Sequence, residues 1–507
     1  MKKASAAGYA MLVAVLALAG FFTFPLLVPS PAHTTTTAAG CVLDGGTTVR
    51  TVTLQAQTSQ VSPVRSEAHS TSFGAVTEFS LSSPGRWPNS IVAEGRGAWF
   101  GESGAPGTAH ISENGTLTEF PWPGADNTSG GYKTGIWGIA TWGGGVWATD
   151  TDRNLLVEVM PSSSSVRVLN VSGLFDSPAG PVAAPDGGLW LVSFSSPSRV
   201  ARLAADLTLD IFTFRELCGA WPAQLDFVGA GSGYFVGLNP DSPTGGGGLF
   251  SFSVSGGSFS AVRTGGGFPL FFPDSVSSSG GLVWVAQHGP SSIVSYNLTS
   301  GAWTTWPTSI VNYSAYTLPY YVEADGTSVW FNEHYGNKIG MVDPVAGTLV
   351  EFSESNPAAT SFLEIQNDLT IARGTGGVWF TSATGNYVGF VNGTTPSAGF
   401  DLRPYSPRTV TVDRGGVATF VLKLTGTWDV SLREGFSDSE QASSLPHLIS
   451  LGENLTEIAP RFEAGLVTYL TFPVVTSPGL APGSYTLAFT LSDGLVSKTS
   501  YVTLIVR

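Results

Sequence analysis

Short apolar stretches alternating with polar residues, each closed by a glycine-rich turn, run along most of this chain, and no stretch beyond the N-terminus carries a long helical period. Four to eight residues with a period of two read as β-strands. One phrase recurs seven times: a glycine-rich turn, an aromatic early in an apolar strand, then a short polar tail. Its aromatics are Trp99, Trp147, Trp190, Tyr234, Trp284, Trp330 and Trp379, separated by 48, 43, 44, 50, 46 and 49 residues. A period of about 47 is too long for leucine-rich or ankyrin units and suits a four-stranded propeller blade. Upstream of each aromatic a turn-forming residue opens the inner strand, as at Pro88, Pro273 and Pro319. Third strands read Asn337-Lys338-Ile339-Gly340 and Asn386-Tyr387-Val388-Gly389. Outer strands read Leu117-Thr118-Glu119-Phe120, Leu349-Val350-Glu351-Phe352 and, ahead of the first inner strand, Val76-Thr77-Glu78-Phe79.

The pattern predicts an all-β chain, a seven-bladed β-propeller over residues 76–403 followed by a small Ig-like β-sandwich over residues 404–507. Either Val76 to Phe79 or the tail Ala398 to Leu402 completes the last blade and removes its open edges. From Pro404 the long period disappears. Thr409 to Leu424, Leu466 to Val475 and Ser484 to Val506 alternate around turns such as Pro478-Gly479, in a small antiparallel sandwich without a concentrated polar cluster. That second domain reads as a spacer or adhesion module.

Composition changes the picture mainly at the N-terminus. Lys2 and Lys3 precede an apolar run, so residues 1–30 read as a signal peptide or an uncleaved membrane anchor, with a linker and N-terminal segment over 31–75. The protein is expected to be secreted or held at the cell surface. Cys41 and Cys218 are the only cysteines; they could form one disulfide tying the N-terminal segment to the fourth blade, or remain as two thiols. Asn-x-Ser/Thr triplets at Asn114, Asn127, Asn170, Asn297, Asn312, Asn392 and Asn454 fit a glycosylated exterior. A formal charge of -14 argues against nucleic acid as a partner, because basic surface is needed to displace counterions.

Candidate chemistry lies at the strand ends. Three and four residues after the aromatics stand Glu102, Asp150, Gln287 and Glu333, then Ser103, Thr151, His288 and His334. An antiparallel hairpin sets the end of the second strand beside the start of the first, so these share a face with Asn89, Trp137, Asp274 and Tyr320. Magnesium would prefer the carboxylates Glu333, Asp274, Glu102 and Asp150. His334 or His288 could act as base or ligate a softer metal, and Asp274, Tyr320, Trp137, Asn89 and Gln287 could line a ligand site. The same acids could equally satisfy backbone donors of the neighbouring loops.

The Trp-Phe strands with polar tails, Asn-Lys-Ile-Gly at residues 337–340 and Thr-Glu-Phe-Pro at residues 118–121 resemble the streptogramin B lyase (virginiamycin B lyase) family over residues 76 to 402. The resemblance implies a seven-bladed propeller and a magnesium-dependent carbon–oxygen lyase that opens a cyclic depsipeptide at its ester by elimination. The family's histidine follows a proline where an inner strand begins. Here the matching positions are Asn89, Trp137, Gly180, Ala223 or Gln224, Asp274, Tyr320 and Leu369, and none is histidine. Three function classes follow. The first is a surface propeller binding a small molecule, peptide or glycan at its channel mouth, with no cofactor required. The second is a metal-assisted lyase or hydrolase, and the third a structural cell-envelope protein.

Overall fold

The computed structural model describes residues 48–124, 134–195, 197–214, 221–238, 246–266, 268, 270–288, 291–308, 317–334, 336–355, 368–393, 400–405, 407–426, 433–438, 449–451 and 467–507. Its regular secondary structure is strand, in small and mainly antiparallel sheets, apart from one short 3-10 turn at Pro161–Ser163. The chain divides into two compact units, one of Leu81–Ser278 with the segment up to Ala68, the other of His69–Ser80 with Ser279–Arg507.

In the first unit, the first sheet orders Pro88–Glu94, Gly97–Glu102, Gly107–Ile111 and Thr116–Pro121 from inner to outer strand. The second runs Ile139–Trp142, Gly145–Asp150, Leu155–Met160, Ser165–Asn170, and the third Pro178–Ala183, Leu189–Ser193, Arg199–Leu203, Thr208–Thr213. The fourth runs Trp221–Gly229, Ser232–Leu238, Gly246–Ser255, Ser258–Thr264. No sheet of this size can bury both faces alone, and the cores accordingly span neighbouring sheets. Trp99 and Phe120 of the first pack with Val146 and Val157 of the second. Trp147 and Leu169 of the second join Leu191 and Leu203 of the third. Trp190 and Phe212 of the third join Phe235 and Phe250 of the fourth. Six of the seven repeat aromatics are buried, and Tyr234 is half-buried. Each large side chain so removed from water contributes roughly 1.5–3 kcal/mol.

Residues ahead of the first sheet form an outer strap. Thr48–Thr53 pairs with Thr208–Thr213, Ala56–Gln60 with Ser165–Asn170, and Val64–Glu67 with Thr116–Pro121. The strap therefore adds a fifth strand to the third, second and first sheets in turn.

In the second unit, Leu282–Gln287, Ser292–Asn297 and Trp303–Pro307 form consecutive antiparallel pairs. A further sheet runs Pro319–Asp325, Ser328–Glu333, Lys338–Asp343, Thr348–Ser353, and the last repeat is Asp368–Gly374, Gly377–Ser382, Tyr387–Asn392. Its fourth strand is Val76–Ser80, with His69–Phe73 outside that. Of the two segments able to complete this sheet, the N-terminal one does so; Phe400–Pro404 instead pairs with Val417–Gly426.

The repeat's third-strand motif has a steric cause. Asn337 and Asn386 turn the chain in the left-handed region, at φ 49° and 57°, which asparagine tolerates better than most residues. Gly340 then lies directly opposite Phe331, and Gly389 opposite Phe380. A Cβ at either glycine would strike the facing ring.

At the C-terminus, Phe400–Pro404, Val417–Gly426, Val467–Thr476 and Ile449–Leu451 make one sheet. It packs through Phe420, Leu422 and Phe472 on Leu487, Phe489 and Leu504 of Gly483–Ser492 and Val496–Val506. Two features differ from the expected all-antiparallel module. Thr409–Val412 runs parallel to Val496–Val506, and Val496–Val506 also pairs with Thr348–Ser353, so one sheet continues from the sixth repeat into the C-terminal region.

Candidate functional site

Each second strand ends in a polar residue at the point where the chain turns back. Glu102, Asp150, Gln287 and Glu333 are the last residues of their strands and all are buried, as are Ser103, Thr151, His288 and His334 that follow. The amide after the strand end closes a recurring loop. Ser103 donates to the Trp87 carbonyl at 3.0 Å, Thr151 to Gly135 at 2.8 Å, Phe194 to Ser177 at 2.9 Å and His334 to Leu318 at 2.9 Å. Trp87, Ser177, Phe272 and Leu318 all precede a proline and all have φ between 47° and 54°. Residues before proline ordinarily stay extended, so this backbone is strained. Its recurrence in four repeats marks it as part of the repeat's architecture rather than of one reactive centre.

In the first unit the candidate acids are braced locally. Arg86 lies 2.8 Å from Glu119 and 3.8 Å from Glu102, one guanidinium serving two buried carboxylates. Burial, then the Glu119 charge, hold the Glu102 carboxyl well above the usual range. Asp150 accepts from the Thr134 hydroxyl, from the Arg153 amide at 3.0 Å and from the Arg153 guanidinium. Burial raises its carboxyl, and Arg153 and Thr134 oppose the rise. Asn89 donates to the Ser103 hydroxyl at 3.3 Å, and the Ile136 amide donates to the same oxygen at 3.4 Å. Trp137 is half-buried against the cluster around Trp190, and its carbonyl accepts from Gly180 at 2.8 Å. Asp274 is half-buried on Pro273–Ser279, with its carboxyl raised by loss of hydration.

The second unit does bring candidates together. His334 Nδ1 and His288 Nε2 are 3.4 Å apart. The Tyr320 ring stacks on His334 at 4.6 Å and meets His288 edge-on at 5.8 Å. Burial pushes His288 down to about 4, and burial together with the neighbouring imidazole holds His334 well below its ordinary value. Both rings are therefore neutral at pH 7, with room for one shared proton between facing nitrogens. A base weakened from 6.5 to about 4 gives up on the order of 3 kcal/mol of proton affinity, which suits it poorly to abstracting a carbon-bound proton. Gln287 is engaged within its own sheet, donating to the Ser292 hydroxyl at 3.2 Å.

Glu333 has different company. Lys338 lies 3.6 Å from Glu351, and both carboxyl-bearing residues are fully buried. Burial, then the Glu351 charge, hold the Glu333 carboxyl well above the usual range, while Lys338 and the Thr317 and Thr308 hydroxyls oppose the rise. Those hydroxyls are 2.6 Å apart, and the Thr317 amide donates to Ser291 Oγ at 2.7 Å. The first unit's arrangement of two carboxylates and one cation thus recurs here. Sequence reasoning placed Glu119 and Glu351 only as outer-strand residues. Their shared Glu-Phe context, repeated at Glu78, which takes Ser355 as its partner, is the signal that they are buried braces.

Among the described residues no group of three or more His, Cys, Asp or Glu is arranged to hold a metal ion. The four acids considered for magnesium are not gathered into such a group among the described residues: Glu102 lies beside Arg86, Asp150 accepts from Thr134 and Arg153, and both Glu333 oxygens are buried without a hydrogen-bond partner. Cys41, Cys218 and residues 1–30, expected as a signal or anchor, lie outside the described residues. No helix among the described residues is long and apolar enough to cross a membrane.

No protein-family model matches the chain, and no curated protein matches it. Among solved structures, a "Putative exported protein" from Bacteroides fragilis NCTC 9343 overlaps 63% of this chain and 83% of its own length, at 10% identity and a TM-score of 0.31. A likeness that slight carries no argument about fold or activity.

Proposed function

We propose that this is an exported, surface-associated seven-bladed β-propeller with a C-terminal Ig-like sandwich, serving as a structural component of the cell envelope. The observation that carries this reading is the local engagement of the strand-end acids. Arg86 lies beside Glu102 and Glu119, and Thr134 and Arg153 donate to Asp150, tying together strands and loops of their own repeats, while Lys338 pairs with Glu351 and stands opposite the buried Glu333 in the strand ladder. Closure of the ring is supported by Val76–Ser80 completing the last repeat, and by the packing of successive sheets within each unit. The streptogramin lyase resemblance then describes a shared blade design, and the elimination chemistry falls away with its histidine. In cells lacking the gene, plasmid-borne wild type, His334→Ala and Glu333→Gln are expected to restore envelope integrity equally. Failure of either variant while folded and exported at wild-type level would overturn the structural reading.

A second reading rests on one specific observation, the stacked His288, Tyr320 and His334 rings. Paired neutral imidazoles under a tyrosine form a recognition surface for a planar or hydroxyl-rich ligand, such as an aromatic peptide side chain or a glycan. Glycan-array screening of wild type against His334→Ala tests it, and specific binding lost in the variant would favour recognition over a purely structural role.

A further inference from the structure

One face of the C-terminal sheet formed by Phe400–Pro404, Val417–Gly426 and Val467–Thr476 looks away from its core. Along Val417–Gly426, Ala418, Phe420, Leu422 and Leu424 are buried in the core, and the side chains between them face outward. On that outward face three large apolar side chains are open to water, Tyr405 at 57%, Val417 at 58% and Tyr469 at 51% exposed. The two tyrosine rings meet edge to face with centroids 4.6 Å apart. Register sets Arg403 opposite Lys423 and Lys423 opposite Tyr469, a row across three strands that spans about 10 Å at the usual strand spacing. Asp401 accepts from Arg403 at 2.5 Å and lies 3.7 Å from Lys498, so one carboxylate is shared by two cations. Lys423 is matched to no carboxylate among the described residues. Like charges directly opposite on neighbouring strands destabilise a sheet, and an anion seated beside them removes the repulsion.

We propose that this face binds an acidic polysaccharide, a sugar chain bearing carboxylate or sulfate groups. Tyrosine rings offer the C–H-rich faces of sugar rings an apolar plane at little entropic cost, and Arg403 and Lys423 supply charge-assisted hydrogen bonds to the acid groups. Three points favour this occupant. Val417–Gly426 is paired on both sides, with Phe400–Pro404 and Val467–Thr476, so its backbone is already committed and a peptide cannot dock here as an added strand. A second copy docked through the same face would set its own Arg403 and Lys423 against these cations. The whole chain carries a formal charge of -14, which repels an acidic polymer from the rest of the surface and confines it to a local excess of cations. The structural role proposed above does not require this contact, which gives the C-terminal region an adhesive function of its own.

The test uses polygalacturonate and dextran sulfate as acidic chains, uncharged dextran as the neutral chain, and oligodeoxythymidylate as an acidic polymer of a different class. In affinity electrophoresis of the full purified protein, wild type is expected to be retarded by an acidic polysaccharide and not by dextran. Lys423→Gln and the double variant Tyr405→Ala, Tyr469→Ala are each expected to weaken that binding at least about 10-fold, with thermal melting matched to wild type. Arg96→Gln, which alters an exposed arginine of the first sheet, is expected to leave it unchanged. Raising the salt concentration is expected to weaken the wild-type interaction. Absence of binding to both acidic polysaccharides, equal binding to dextran, tighter binding to oligodeoxythymidylate, or variants that bind as wild type does would overturn the proposal.

Discussion

Replacing Glu333 by glutamine separates a structural brace from a metal ligand. Glu333 and Glu351 are both fully buried, and Lys338 is the cation beside them. Two ionised carboxylates with one ammonium would leave an unbalanced buried charge, and a proton on Glu333 removes it. Its folded-state proton affinity is raised, chiefly by burial and then by Glu351, so the native state holds a proton that the unfolded chain releases. Stability therefore falls as pH rises from the unfolded carboxyl value toward the folded one, by up to about 1.4 kcal/mol per pH unit, and is level above it. Glu333→Gln supplies the neutral form permanently. It is expected to match wild type near pH 4 and to become progressively more stable than wild type as the pH is raised. Lys338→Met makes the opposite change: it strands the Glu351 carboxylate and should cost about 3–5 kcal/mol, with partial recovery in Lys338→Met, Glu351→Gln. Urea unfolding followed by tryptophan fluorescence from pH 4 to 8 reads all four proteins. A glutamine variant that is less stable than wild type at neutral pH, or whose difference from wild type does not change with pH, would refute the reasoning.

Other expected outcomes follow from the same geometry. Gly340→Ala should lose about 1–3 kcal/mol in urea unfolding, because the new methyl meets the Phe331 ring, whereas Gly143→Ala at an open turn should lose only what its left-handed backbone imposes. His288 and His334 are depressed in the folded state, so their neutral forms stabilise the fold above the unfolded value of about 6.5, and this contribution should be lost as pH falls toward about 4. A His288→Gln, His334→Gln variant should show a flatter thermal-melting profile between those pH values. Tyr501→Phe removes the hydroxyl donated to the Pro307 carbonyl at 2.7 Å, and should cost about 1–3 kcal/mol in the same unfolding assay.

Much of the sheet plan was legible because side chains carry it. The repeat aromatics recur where cores between successive sheets form, and the Asn-x-Ile/Val-Gly motif is readable once Gly340 is seen to make room for Phe331. The strap was not legible for the opposite reason. Thr48–Thr53 and Ala56–Gln60 are almost wholly exposed, and a strand held by backbone hydrogen bonds to one edge needs no apolar alternation. The partners of the strand-end acids were hidden because strand pairing selects them: Lys338, close by in sequence, faces Glu333 across the hairpin, while Glu119 and Glu351 come from the fourth strands. Lys338 and Glu351 belong to the third and fourth strands of their repeat, and only the pleat brings them beside Glu333. The pairing of His288 with His334 could be anticipated from equivalent positions in successive repeats, but the depression of both imidazoles depends on burial, which no local pattern encodes.

The claim that the strand-end acids brace sheets, rather than hold a cation, is tested most directly by calorimetric titration of the purified protein with magnesium, manganese and zinc. The account predicts no binding tighter than about millimolar, the range of weak extracellular oxygen-ligand sites, and identical traces for wild type and Glu333→Gln. A micromolar site abolished by that single substitution would contradict it.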